Sequence, residues 1–270
     1  MWELPVNSIV CGDCVEVMRD FPAESIDMVL TSPPYDNLRH YNGFEFKFEP
    51  VAEELYRVVK PGGVMVWIAG DETVNGSETG TSFRQCLFFK ELGFNLHDTM
   101  IYAKNSFAFP SRNRYHQVFE YMFVFSKGKP KCFHPIKDKP NLWEVWGRNT
   151  GRERNGKIKL YKDAEPSIGK MGMRYNIWLF KTGGCGFSSR DKVAYEHPAI
   201  FPEQLAKDQI ISWSDEGDII LDPMCGSGTT CKMAKANYRR FIGIDIHPRY
   251  CEISRQRVAL VPDRLELNYQ

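Results

Sequence analysis

A chain of 270 residues with 43% hydrophobic content is long enough for one large α/β domain with an insertion, and roughly 150 residues per domain admits two. No apolar run approaches the ~20 residues of a membrane span and no basic segment precedes an apolar signal core, so the expected location is cytoplasmic, without membrane contact. The net charge of +1 hides an uneven spread: residues 126–192 hold 16 Lys and Arg against 6 Asp and Glu, net +10, and the remainder carries −9.

In chain order, residues 7–12 read as a short strand ending at Gly12-Asp13, followed by a helix over 15–19. Residues 25–30 are a buried apolar strand that runs into Thr31-Ser32-Pro33-Pro34-Tyr35. An aromatic and polar loop over 36–48 comes next and could close over a substrate. Residues 49–60 form a helix, with Pro50 in its first turn and Val51, Leu55, Val58 and Val59 on one face, stopped by Pro61-Gly62-Gly63. A strand over 64–69, a Gly/Ser/Thr-rich loop, a helix over 82–92 closed by Gly93, and strands over 94–104 and 118–126 follow. The loop 105–117 between those strands carries Arg112, Arg114 and His116 among aromatics. Residues 127–192 lose all period and mix Gly, Lys, Arg and Trp, so they read as an insertion. Beyond it come a helix over 202–213, a strand over 219–222, a helix over 230–237, a strand over 240–246 and a final helix over 248–260. The count is seven strands.

Two turns carry the candidate chemistry. Consecutive prolines after Ser32 fix their own φ angles and donate no N–H, so the turn offers an acceptor-rich rim, the Ser32 hydroxyl and backbone carbonyls, beside the Tyr35 ring. That suits a planar base bearing an amino group; a proline-stiffened loop is the plain structural reading. The second turn, Asp222-Pro223-Met224-Cys225-Gly226-Ser227-Gly228-Thr229-Thr230, lies between a strand and a helix, where glycines let backbone N–H groups approach a ligand. It lacks the lysine of a phosphate-gripping P-loop. Asp245, at the tip of the next strand, matches the acidic residue that binds ribose hydroxyls, so a nucleoside cofactor is implied. The basic insert reads as a polyanion-binding segment, because each neutralised phosphate releases counterions, with a solvated insertion as the competing reading. Eight cysteines are scattered; Cys11 and Cys14 form a lone CxxC without a second pair or a histidine at ligand spacing, so no metal site is expected.

DPMCGSGTT together with TSPPY resembles the amino-group DNA methyltransferases that use S-adenosylmethionine, and the order of the pieces resembles their beta group. IVCGD at 9–13, LYRVVKPGG at 55–63 and HPAIFPE at 197–203 are further similar pieces. The resemblance implies a doubly wound, seven-stranded mixed α/β sheet of Rossmann-like methyltransferase fold, circularly permuted, with a basic target-recognition insertion. Residues 1–126 would be the catalytic half, 127–192 the target-recognition insertion and 193–270 the cofactor half. By the same resemblance, Ser32, Pro33, Pro34 and Tyr35 are catalytic. Asp13, Phe201, Pro202, Asp222, Pro223, Gly226, Gly228, Thr229 and Asp245 bind S-adenosyl-L-methionine. Arg112, Arg114, Arg148, Arg152 and Arg154, with Trp143 and Trp146 nearby, are the candidates for contact with double-stranded DNA. The expected reaction methylates the exocyclic amine of a flipped base, with cytosine N4 favoured over adenine N6 because a serine precedes Pro-Pro-Tyr and Phe201 precedes Pro202 where adenine enzymes often carry Lys-Pro. No Pro-Cys dipeptide, the signature of ring-carbon cytosine methyltransferases, is present. Protein-glutamine and RNA methyltransferases resemble NPPY-type motifs placed after the glycine turn, and a catalytically inactive DNA-binding module on the same fold is the rival of another class. The resemblance leaves room for a homodimer and a cognate restriction endonuclease as partners.

Overall fold

The computed structural model describes residues 3–34, 46–107, 110, 112–141, 150–160, 170–182 and 188–263. The chain begins with strand β1 (Ser8–Cys11) and helix α1 (Cys14–Arg19), whose N-terminus is capped by the Asp13 carboxylate. Strand β2 (Ile26–Thr31) is buried at every residue, as an unbroken apolar run predicts. Helix α2 (Phe48–Val58) buries Val51, Ala52, Leu55 and Val58 and passes directly into strand β3 (Val59–Ala69). The expected break at Pro61-Gly62-Gly63 is therefore part of a strand: Val59 is already extended, and the Gly62 N–H donates to the Lys127 carbonyl.

A small hairpin of β4 (Thr73–Val74) and β5 (Ser77–Glu78) precedes helix α3 (Thr81–Leu92). The Asp71 carboxylate receives the Ser82 N–H at 2.8 Å and the Ser82 hydroxyl at 2.6 Å, fixing this helix start. Strands β6 (Asn95–Lys104) and β7 (Phe119–Ser126) follow. After the short strands β8 (Lys139–Pro140), β9 (Thr150–Arg152), β10 (Ile158–Leu160) and β11 (Met171–Gly172) comes β12 (Ile177–Phe180). The remainder is a 3-10 turn (Lys192–Glu196), α4 (Glu203–Trp213), β13 (Ile219–Asp222), α5 (Thr229–Ala236), β14 (Arg240–Asp245) and α6 (Pro248–Ala259).

One sheet has eight strands in the order β1-β14-β13-β2-β3-β7-β6-β12. All neighbours are parallel except β7, which runs against both β3 and β6. The expected mixed, doubly wound α/β sheet is present, and among the described residues it has eight strands rather than the expected seven. The added strand, Ile177-Trp178-Leu179-Phe180, is only four residues long and lies in a stretch whose composition reads as insertion. Helices α1, α2 and α3 pack in one layer and α4, α5 and α6 in another. Residues of β3 alternate between them: Met65, Trp67 and Ala69 join the aromatic core with Phe89, Phe94 and Phe125, while Val64, Val66 and Ile68 are buried on the other side. Among the described residues, no buried side-chain nitrogen or oxygen lacks a hydrogen-bond partner.

Residues 135–175 form a compact unit of their own, separate from the unit of residues 1–134 and 176–270. That unit contains two antiparallel pairs, β9 with β10 and β8 with β11, and an Arg174–Asp138 ion pair. Strand β12 belongs to the large sheet, and the 3-10 turn lies in the larger unit.

Candidate active site

The order of strands determines which loops can meet. From β2 the chain winds outward to β3, and from β13 it winds the opposite way to β14, with β1 on the far side of β14, so β2 and β13 flank the switch point where a crevice opens beyond the strands' carboxyl ends. Ser32-Pro33-Pro34 leaves the end of β2, and the glycine turn leaves the end of β13. The Thr31 hydroxyl ties them together by donating to Asp222 Oδ1 at 2.8 Å, and the Met224 N–H donates to the same oxygen at 3.2 Å. Thr230 Oγ1 crosses the same gap to the Leu30 carbonyl at 3.1 Å. Burial pushes the Asp222 carboxyl up to about 6, against the lowering effect of these hydrogen bonds.

One strand further on, Asp245 receives the Gly226 N–H and the His247 N–H, each at 2.8 Å, and burial raises its pKa. Two glycines are required by their surroundings. Gly226 has φ +50°, and a Cβ there would sit 2.7 Å from His197 Nε2. Gly228 has φ +75°, and its Cβ would meet Ser254 at 2.8 Å, so this glycine allows α6 to approach the turn.

Beneath the turn lies Arg257, a fully buried arginine. Its guanidinium donates to the Ser227 carbonyl at 2.6 Å, Thr229 Oγ1 at 3.1 Å, Asp191 at 3.0 Å and Glu203 at 2.6 Å. Lys232 pairs with the same two acids at 2.7 and 2.9 Å. These cations hold the Asp191 and Glu203 carboxyls below their ordinary range despite burial. The network fastens the segment 189–203 to the glycine turn.

A cleft of about 1310 Å³ opens over these elements. Ser32, Pro33, Pro34, Asp13, Phe201, Pro223, Gly226, Thr229, Asp245 and Arg114 border it. Asp222, Pro202 and Gly228 stand behind this wall: Asp222 is buried, Pro202 caps α4 and Gly228 starts α5. Arg112 is exposed, and Arg114 donates to Thr73 Oγ1 at 3.3 Å and to the Gly76 carbonyl, joining the loop 105–117 to the β4–β5 hairpin. Arg154 is exposed in the smaller unit. Tyr35, Trp143, Trp146, Arg148, most of the 36–48 loop and the Arg152 side chain lie outside the described residues. Cys14 borders the cleft with its thiol pushed up to about 12 by burial and by Asp13, which makes it a poor nucleophile.

Three features were not assigned from the sequence. Thr31 carries no signal apart from its place at a strand end. Arg257 falls on the face of α6 that also holds Cys251, Ser254 and Val258, so its spacing could have flagged it as buried. The ring cluster of His197, Tyr250 and His247, with centroids 4.3 and 4.5 Å apart, assembles from segments distant in sequence.

A volume above the ~300–1,000 Å³ of a single small-molecule pocket leaves room for a nucleoside cofactor and a second planar group, and Asp13 and Asp245 in its wall suit a ligand with hydroxyl and amino donors. Fold and site thus define a Rossmann-like enzyme of the nucleoside-cofactor class. The N6_N4_Mtase family model, DNA methylase, matches residues 26–256, and the chain belongs to that family. The orphan methyltransferase M.BamHII of Bacillus amyloliquefaciens is 54% identical over 251 residues, which span 92% of this chain and 90% of that one. The DNA adenine methyltransferase YhdJ of Escherichia coli (strain K12) is 26% identical over 268 residues, 93% of this chain and 82% of that one. The solved structure of the cytosine-N4-specific PvuII DNA methyltransferase shares the fold with a TM-score of 0.66 at 22% identity, over 93% of this chain and 85% of that one. Among the described residues, no helix is long and apolar enough to cross a membrane.

Proposed function

We propose that this DNA methylase transfers a methyl group from S-adenosylmethionine to the exocyclic N4 amine of a cytosine flipped out of double-stranded DNA. The observation that carries the reading is the Thr31–Asp222 hydrogen bond, which sets the acceptor-rich turn and the glycine turn side by side over one cleft. S-adenosylmethionine, when bound, supplies an electrophilic methyl on a sulfonium. Asp245 would hold its ribose hydroxyls and Asp13 its adenine amino group, while Gly226 and Thr229 border the same wall. Asp222 acts from behind, holding the turn in shape and adding negative charge beneath a cationic ligand.

On the DNA side, the Ser32 hydroxyl and the Pro33 carbonyl accept hydrogen bonds from the exocyclic amine, which directs the nitrogen lone pair away from ring conjugation. Tyr35 stacks on the base. Holding the nucleophile at ~3–3.5 Å in line is the chain's main catalytic contribution, and no covalent enzyme intermediate is required. The basic residues 127–192, with Arg112 and Arg114, supply phosphate and base contacts.

Cytosine is preferred because Ser32 and Phe201-Pro202 resemble the cytosine-N4 members of the family. Adenine N6 is the second reading, favoured by the likeness to YhdJ. Mass spectrometry of nucleosides from duplex DNA treated with the purified protein and S-adenosylmethionine separates them. N4-methylcytosine is expected; N6-methyladenine alone would replace the base assignment and leave the mechanism intact.

A further inference from the structure

At the far end of the sheet from the cleft, three side chains of different chemistry converge. Strand β7 runs antiparallel to β3, so the residues after Ser126 lie beside the amino ends of β3 and β13, whereas the cleft opens at the carboxyl ends. Here Cys132, His134 and Asp215 bring one sulfur, one ring nitrogen and one carboxylate oxygen within 4.8 Å of one another.

The backbone explains the convergence. Residues 132–134 run without helix or turn, and alternate side chains of such a stretch point to opposite sides. Phe133 stacks on Trp213 with ring centroids 4.6 Å apart, which leaves Cys132 and His134 together on the other side. The His134 N–H donates to the Ser212 carbonyl at 2.9 Å, anchoring the stretch to the end of α4. Asp215 follows directly after that helix, and its N–H is held by Asp218 Oδ2 at 2.8 Å. His134 Nε2 already lies 2.7 Å from Asp215 Oδ1, bridging segments 81 residues apart in sequence. The ammonium of the neighbouring Lys131 is engaged by Asp27 at 3.0 Å and Asp218 at 2.7 Å.

We propose that Cys132, His134 and Asp215 form a binding site for one borderline-soft divalent cation of the Zn²⁺ type. A thiolate, an imidazole and a carboxylate are the donors such ions take, and three protein ligands leave a fourth position for water. A thiol must lose its proton to ligate, so ion binding releases a proton from Cys132. The distance from the cleft assigns the ion a structural role: it clamps the last residues before position 135 onto the turn between α4 and β13. The lone CxxC does not compete for this role, since neither Cys11 nor Cys14 belongs to a group of three such ligands among the described residues.

The test uses the full chain, freed of metal by chelation and titrated with Zn²⁺ by calorimetry and with Co²⁺ by absorption. One equivalent of Zn²⁺ should bind, the Co²⁺ form should show a thiolate-to-metal charge-transfer band, and saturating Zn²⁺ should raise the melting temperature. Cys132→Ser should lose the band, and Cys132→Ser and His134→Ala should each weaken Zn²⁺ binding by at least ~10-fold. Both positions are partly or fully exposed, so melting of the metal-free variants should match the metal-free wild type. No binding by the wild type, equal binding by the variants, or a band removed by Cys11→Ser instead would overturn the site.

Discussion

The floor and the rim of the cleft are built on opposite principles. The floor, from Asp222 to Thr229 with Arg257 beneath, consists mostly of buried groups tied into a hydrogen-bond network. The rim, formed by the β4–β5 hairpin and the described residues of the loop 105–117, presents exposed side chains, with Tyr115 99% exposed and Arg114 held by two surface hydrogen bonds. A site that must hold an unvarying small cofactor gains from a floor organised before binding, because ordering it then costs nothing. A surface that meets DNA gains from side chains left to adapt. The two regions should therefore respond differently to the same kind of substitution.

The largest effect is expected at Arg257. Arg257→Met takes one of two paired cations from Asp191 and Glu203, leaving them Lys232, and breaking a buried ion pair costs about 3–5 kcal/mol. Urea unfolding should show this loss, together with weakened S-adenosylmethionine binding. A midpoint unchanged from wild type would mean that the network contributes nothing.

Next comes a pH effect at Asp222. Its folded-state pKa of about 6 lies above the ordinary value of 3.8, so the folded chain holds this proton more tightly than the unfolded one. Ionisation therefore costs stability, beginning above pH ~4 and complete above pH ~6, by about 3 kcal/mol at ~1.4 kcal/mol per unit. Asp222→Asn escapes this cost, so its stability relative to wild type should rise between pH ~4 and pH ~8. Parallel unfolding curves at both pH values would contradict the buried charge.

Thr31→Val removes the donor to Asp222 while keeping the side chain's shape. Leaving that buried acceptor short of a partner costs about 1–3 kcal/mol, and methylation should fall more than the fold's stability explains. Retention of full activity would separate the two turns functionally. At the rim, Arg114→Ala should leave cofactor affinity and melting unchanged, while DNA binding weakens and its salt slope falls by about 1. If cofactor affinity falls in this variant as well, floor and rim are coupled.

The elements of the floor were legible because each has a local cause. Apolar runs mark β2, β13 and β14, Gly226 and Gly228 mark the turn, and Asp245 marks a strand tip. The start of helix α2 was placed within one residue by its apolar face, while its end was drawn two residues too far, since nothing local announces that Val59 turns straight into a strand paired with β2. Strand β12 escaped for the same reason: four residues acquire strand geometry only by pairing with β6. Thr31 and Arg257 act through partners up to 191 residues away, and a single position's chemistry does not reveal such a contact. Asp222 illustrates a subtler limit, because its motif is obvious while its position behind the cleft wall follows from packing alone.

The central claim is that the cleft between the ends of β2 and β13 holds S-adenosylmethionine on Asp245 independently of DNA. Calorimetric titration of S-adenosylmethionine into the DNA-free chain tests it, with wild type, Asp245→Ala and Arg114→Ala run side by side. One site per chain in wild type and Arg114→Ala, and loss of binding in a folded Asp245→Ala, is the result expected. Undiminished affinity in Asp245→Ala, or no binding by the wild type, would contradict it.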